Sequence, residues 1–138
     1  MNFMGEEKRE FKRAFFTLEE GITAFVIPIN NENKPAEVTI LSISAGGLSF
    51  LGNRFKLPRM KPGDHLIIND IDTPQPIGKI IHTEVKIRYI LDNPRRVRVV
   101  CGCEFVDIDE NYIQQIEKRI ESQCEKYGIE RDSFLRHN

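Results

Sequence analysis

Apolar and polar positions alternate with a period of two along most of this chain, and switch to helical spacing only near its end. The run GITAFVIPIN, residues 21–30, has the β-branched and aromatic content of a strand. NNENKPAE follows as turn chemistry, with Asn, Lys and Pro between two apolar runs. EVTILSIS then alternates cleanly, Val38 and Ile40 on one side, Thr39 and Leu41 on the other. Ala45, Gly46 and Gly47 break that strand and LSFL resumes at once, which predicts a hairpin with a glycine turn. After the loop LPRMKPGD come the strand HLIINDI, the turn DTPQP and the run IGKIIHTEVKIRYIL, one long strand or a strand with a bulge. DNPR supplies the next turn and RVRVVCGCEFV the next strand. Short strands joined by Gly and Pro turns predict a mainly β fold, a closed antiparallel barrel.

The period changes after residue 108. Tyr112, Ile113, Ile116, Ile120, Cys124 and Tyr127 recur at three and four, the stripe of an amphipathic C-terminal helix. Asp107 or Asp109 is placed to cap its start, and Gly128 to follow its end. Residues 1–14 read as a charged, weakly structured arm, 15–128 as barrel plus helix, and 129–138 as a short tail anchored only by Phe134 and Leu135.

The chain has 138 residues, is 40% apolar and 30% charged, and carries a net charge of -1. That is ordinary composition for one globular domain and argues against wholesale disorder. It also argues against a polyanion-coating protein, which needs a strongly basic surface. The longest apolar stretch, Thr23–Ile29, contains Pro28 and is too short to span a bilayer, so no membrane insertion is expected. Residues 1–13 lack the apolar centre of a signal peptide, and a cytoplasmic location is the expectation.

Three cysteines, Cys101, Cys103 and Cys124, make an odd set and argue for reduced thiols. Cys101-Gly102-Cys103 has the look of a metal half-site, but zinc takes about four ligands, and Cys124 with the scattered His65, His82 and His137 completes no such set. Strand alternation puts Cys101 and Cys103 on one face as core residues. His65 and His82 fall in strand patterns, exposed or locally bonded. No nucleophile–base pair supports an enzyme, and no metal or cofactor is expected. Arg95, Arg96 and Arg98 form a cluster read first as a solvated turn.

Two short segments carry the candidate chemistry. REFKR places Arg9 and Arg13 four apart on the arm. SISAGG places Ser42, Ser44, Gly46 and Gly47 at a strand end and turn. Arginine is a fixed fork of donors that grips phosphate oxygens, matches O6 and N7 of guanine, and stacks on purines. A serine hydroxyl donates or accepts, and glycine permits positive φ or close backbone approach.

The order RxxxR, then SxSxxG, then GGLSF, PGD and GCEFVDID before a terminal helix resembles the PilZ domain family of bacterial cyclic di-GMP receptors, from about Arg9 to Tyr127. The resemblance implies a six-stranded, split-barrel type of antiparallel β-barrel with a C-terminal helix. It implies cyclic di-GMP as ligand, bound by Arg9, Arg13, Ser42, Ser44, Gly46 and Gly47. It also implies output through a protein partner or the protein's own oligomeric state, a homodimer included, in motility, attachment or exopolysaccharide control. The sequence departs from the family pattern at Ser42, where the family has Asp or Asn. One lost charge-assisted hydrogen bond there is worth about 1.5–3 kcal/mol, so a member that has lost nucleotide binding and acts as a protein adaptor is the alternative. A nucleic-acid-binding barrel would need a basic, aromatic-studded face, and the chain has no Trp.

Overall fold

A computed structural model describes residues 13–29, 34–74 and 77–126. Seven strands appear in chain order: β1 (Arg13–Phe15), β2 (Thr23–Pro28), β3 (Ala36–Ser44), β4 (Gly47–Asn53), β5 (His65–Asp72), β6 (Lys79–Leu91) and β7 (Arg98–Asp107), followed by helix α1 (Glu110–Lys126). Every pairing is antiparallel. The order β3-β2-β5-β6-β7-β4 closes on itself through β3–β4, giving a six-strand barrel with β1 added on β3. Closure removes the exposed edges an open sheet of this size would carry.

Alternation builds the core. Ile43, Leu48, Phe50, Leu66, Ile68, Ile80, Val85 and Ile87 point inward and are buried. Cys101 and Cys103 join them on the inner face of β7. The long strand β6 is one strand with register shifts, a bulge in its pairing with β7 that keeps Ile87 and Ile90 on the core. Asp70 sits at φ 56, and Ile68 and Ile71 on either side of it are both buried. Asp tolerates the left-handed region better than most residues.

β1 and β2 lie end to end along β3. β1 pairs with Ser42–Ser44 and β2 with Ala36–Thr39. A single 3-10 turn, Leu18–Glu20, joins them, with a Thr17–Glu20 capping box at its start and left-handed Gly21 at its end. Arg13 and Ala14, which the sequence pattern assigns to a weakly structured arm, therefore belong to a strand, and Ala14 is fully buried. They become a strand because β3 extends beyond β2 and leaves its edge open there.

Helix α1 packs on β1 and β3 and adds Ile116 and Ile120 to the core. Asp109 caps it by accepting from the Asn111 N–H at 2.8 Å. The expected stop at Gly128 lies outside the described residues, as do Tyr127 and the tail. Gln123 clamps the outer edge of β1: its Oε1 accepts from the Phe15 N–H at 3.0 Å, and its Nε2 donates to the Phe15 carbonyl at 2.6 Å.

The buried thiols carry a testable consequence. Burial, and then the charge of Asp92, pushes Cys101 up to about 12; burial, and then Cys101, does the same to Cys103. Unfolded thiols ionise near 9.0, so above that pH the unfolded chain releases protons that the folded chain keeps. Stability from these groups is full below about pH 9 and lost as pH rises toward 12, by up to about 1.4 kcal/mol per pH unit for each thiol. In the folded protein both thiols should resist iodoacetamide at about pH 8, and react once urea unfolds the chain.

Candidate functional site

The pairing register sets the candidate site. Arg13 pairs with Ser44 and Phe15 with Ser42, so the side chains of these four residues share the outer face. The guanidinium of Arg13 donates through Nη1 to Ser42 Oγ at 3.2 Å. Ser42 Oγ also lies 2.7 Å from Ser49 Oγ on β4. The second arginine of RxxxR and the strand motif are thereby joined by one side-chain contact. Arg9 lies outside the described residues.

Beyond Ser49 the row continues. Ser49 pairs with Gly102 and Gly102 with Tyr89, so Phe15, Ser42, Ser49, Gly102 and Tyr89 run across five strands on one face. Three small residues form the floor and two aromatic rings the sides. A Cβ on Gly102 would stand 2.0 Å from the Tyr89 ring, so the ring lies directly on the glycine backbone. Tyr89 is half-exposed, with its other side open to solvent. The sequence reading missed Ser49 and Tyr89, because neither belongs to the SxSxxG segment and only the register brings them to it.

The turn residues hold the expected glycine hairpin together. Ser44 is buried, and its hydroxyl accepts from the N–H groups of Gly46 and Gly47, each at 3.2 Å, and donates to the Gly47 carbonyl at 3.3 Å. It locks the β3–β4 turn. Neither Gly46 nor Gly47 has a positive φ. Gly47 does serve a close approach, but to the protein itself: a Cβ there would fall 1.9 Å from the Cys103 carbonyl oxygen. Gly46 accepts through its carbonyl from the Phe105 N–H at 2.8 Å, tying the turn to β7.

Both described histidines are locally bonded: His65 Nδ1 lies 2.6 Å from Glu84 Oε2, and His82 Nδ1 lies 2.9 Å from Asn69 Oδ1. No group of three His, Cys, Asp or Glu among the described residues is placed to hold a metal. No described helix is long and apolar enough to cross a membrane.

A small closed antiparallel barrel with a terminal helix, carrying an arginine beside a serine–glycine strand turn, defines the class. The PilZ domain profile matches residues 7–122, and the chain belongs to that family. Solved structures share the fold. The inhibitor of motility of Bacillus subtilis matches with a TM-score of 0.64 at 19% identity, over 85% of this chain and 52% of its own. The PilZ domain of YcgR from Escherichia coli, solved with c-di-GMP, matches with a TM-score of 0.64 at 16% identity, over 88% of this chain and 98% of its own. PlzA of Borreliella burgdorferi, in complex with c-di-GMP, matches with a TM-score of 0.54 at 16% identity, over 90% and 55%. This chain thus spans about half the length of the Bacillus and Borreliella proteins. A comparison with curated protein sequences found no match.

Proposed function

We propose that this chain is a non-enzymatic receptor for cyclic di-GMP. The observation that carries the reading is the Arg13–Ser42 hydrogen bond, which brings an arginine of RxxxR onto the SxSxxG strand. The ligand is a compact dianion bearing two guanines, and it needs a few well-placed arginines rather than a basic protein. Arg13 is partly exposed and set on a rigid strand, so its fork is available to a phosphate or to O6 and N7 of a guanine. Arg9 closes over the ligand from the preceding arm. Ser42 and Ser49 leave a small-residue floor that admits a flat base, and the outer side of the Tyr89 ring, which covers Gly102, offers it a stacking surface. Ser44, Gly46 and Gly47 shape the turn that holds this face in place. Two of the solved PilZ structures above were determined with c-di-GMP, which supports the ligand assignment. Closure of the arm changes the surface offered to a protein partner in the cytoplasm. The Bacillus structure's identity as an inhibitor of motility supports motility control as the output.

Ser42 favours a second reading, a protein adaptor that no longer binds nucleotide. Its hydroxyl is already engaged by Ser49 and Arg13, and it offers no carboxylate to a guanine edge. Titrating cyclic di-GMP into wild type and Ser42→Asp side by side separates the two. The receptor reading expects binding by both, with the aspartate variant about tenfold tighter, the effect of one charge-assisted bond. No binding by wild type, with binding restored in Ser42→Asp, would establish the adaptor.

A further inference from the structure

The net charge of -1 hides a strong polarity along the barrel axis. Three loops meet at the end remote from the Ser44–Gly47 turn: those linking β2 to β3, β4 to β5, and β6 to β7. In their described residues, Lys34, Lys56, Arg59, Arg95 and Arg96 are exposed, and none has a described carboxylate within 4.0 Å. The two acids among the described residues of these loops are already taken, Asp64 by Lys61 at 3.1 Å and Asp92 by Arg54. At the opposite end, Asp107, Asp109 and Glu110 stand exposed where β7 passes into α1.

Large apolar side chains protrude among the cations. Phe55 is 78% exposed at the tip of the β4–β5 loop, and Leu91 is 61% exposed where β6 ends. Val97 and Ile29 are half-exposed on the other two loops. Arg54 ties the β4–β5 and β6–β7 loops together: its backbone N–H donates to the Val97 carbonyl at 2.8 Å and its Nε to the Arg96 carbonyl at 3.0 Å. Phe55, Arg95, Arg96 and Val97 are therefore presented on a braced rim.

We propose that this barrel end is a docking surface for an anionic membrane, lying on the lipid headgroups without crossing the bilayer. Unpaired cations supply attraction to acidic headgroups, and Phe, Leu, Val and Ile supply apolar tips that enter the headgroup boundary. The exposed acids at the β7–α1 junction then face away from the negative surface. A protein partner is met by a contiguous apolar centre with an uncharged core, whereas here Leu91 and Val97 line one concavity together with Arg96 and Arg98. Nucleic acid is met by stacking aromatics, and three of these four tips are aliphatic. The inference is independent of the nucleotide reading, which concerns the other end of β3.

Co-sedimentation with vesicles of phosphatidylcholine, with and without phosphatidylglycerol, tests it. The full chain is expected to pellet only with the phosphatidylglycerol vesicles and to be released as salt shortens the screening length. Arg95→Gln/Arg96→Gln is expected to weaken binding about thirtyfold and Phe55→Ser about tenfold. Lys118→Gln, on α1, should leave it unchanged. These side chains are exposed, so circular dichroism should report a native fold in each variant. Failure of wild type to pellet with anionic vesicles would overturn the proposal, as would equal pelleting by wild type and Arg95→Gln/Arg96→Gln. Retention on DNA without vesicle binding would assign the rim to a soluble polyanion and overturn it too.

Discussion

Replacing Gly47 by alanine should cost the fold at least about 3 kcal/mol, in the range reserved for changes that force the backbone apart. The added Cβ would fall 1.9 Å from the Cys103 carbonyl oxygen and 2.9 Å from both the Cys103 carbonyl carbon and Glu104 Cα. All three are backbone atoms, so no side-chain rotation relieves the clash. Gly47 pairs with Glu104 where β4 first meets β7. Moving either strand breaks that pairing, strains the Phe105–Gly46 hydrogen bond and disturbs buried Cys103. Against a typical total of about 5–15 kcal/mol, the loss is large. Gly21→Ala is the comparison. Its φ of 62° strains a Cβ, but nothing lies within 4 Å, so it should cost only about 1–2 kcal/mol. Urea midpoints of the two variants measure the difference, and equal midpoints would contradict the packing described for the turn. The glycine of the strand motif is then required by the barrel before any ligand is considered.

Arg13→Ala should weaken cyclic di-GMP binding about a hundredfold or more, while leaving stability within about 1 kcal/mol of wild type. Two charge-assisted hydrogen bonds from one guanidinium are each worth about 1.5–3 kcal/mol. In the unliganded protein the side chain is only partly buried, and its described partner is Ser42 Oγ. Arg13→Lys keeps the charge and loses the fork, so most of the affinity should go with it. The ratio of dissociation constants gives the effect on binding, and thermal unfolding of the same samples gives the effect on stability. A variant that binds as wild type does would remove Arg13 from the site.

Local pattern carried the six barrel strands and the helix. Val38, Ile40, Leu66 and Ile68 alternate with polar neighbours, and that period alone distinguishes inside from outside. Barrel closure through β3–β4 was supported by the short hairpin, but the β2–β5 pairing spans a long stretch of chain and left no local mark. β1 was not legible. RAF is three residues, and it is a strand only because β3 supplies an edge and Gln123 satisfies its far side. The same non-local origin hid the candidate site's floor. Ser42 and Ser44 lie in a recognisable segment, but Ser49, Gly102 and Tyr89 reach that face through register. The structural duties of Ser44 and Gly47 were hidden for a related reason. Their residue types suit a ligand and a tight turn equally, and only the hydrogen bonds at the turn and the Cys103 contact show the turn role.

Calorimetric titration of cyclic di-GMP into the full chain tests the central claim most directly. The receptor account predicts saturable heat with a fixed stoichiometry. No heat beyond dilution, at ligand concentrations well above micromolar, would contradict it.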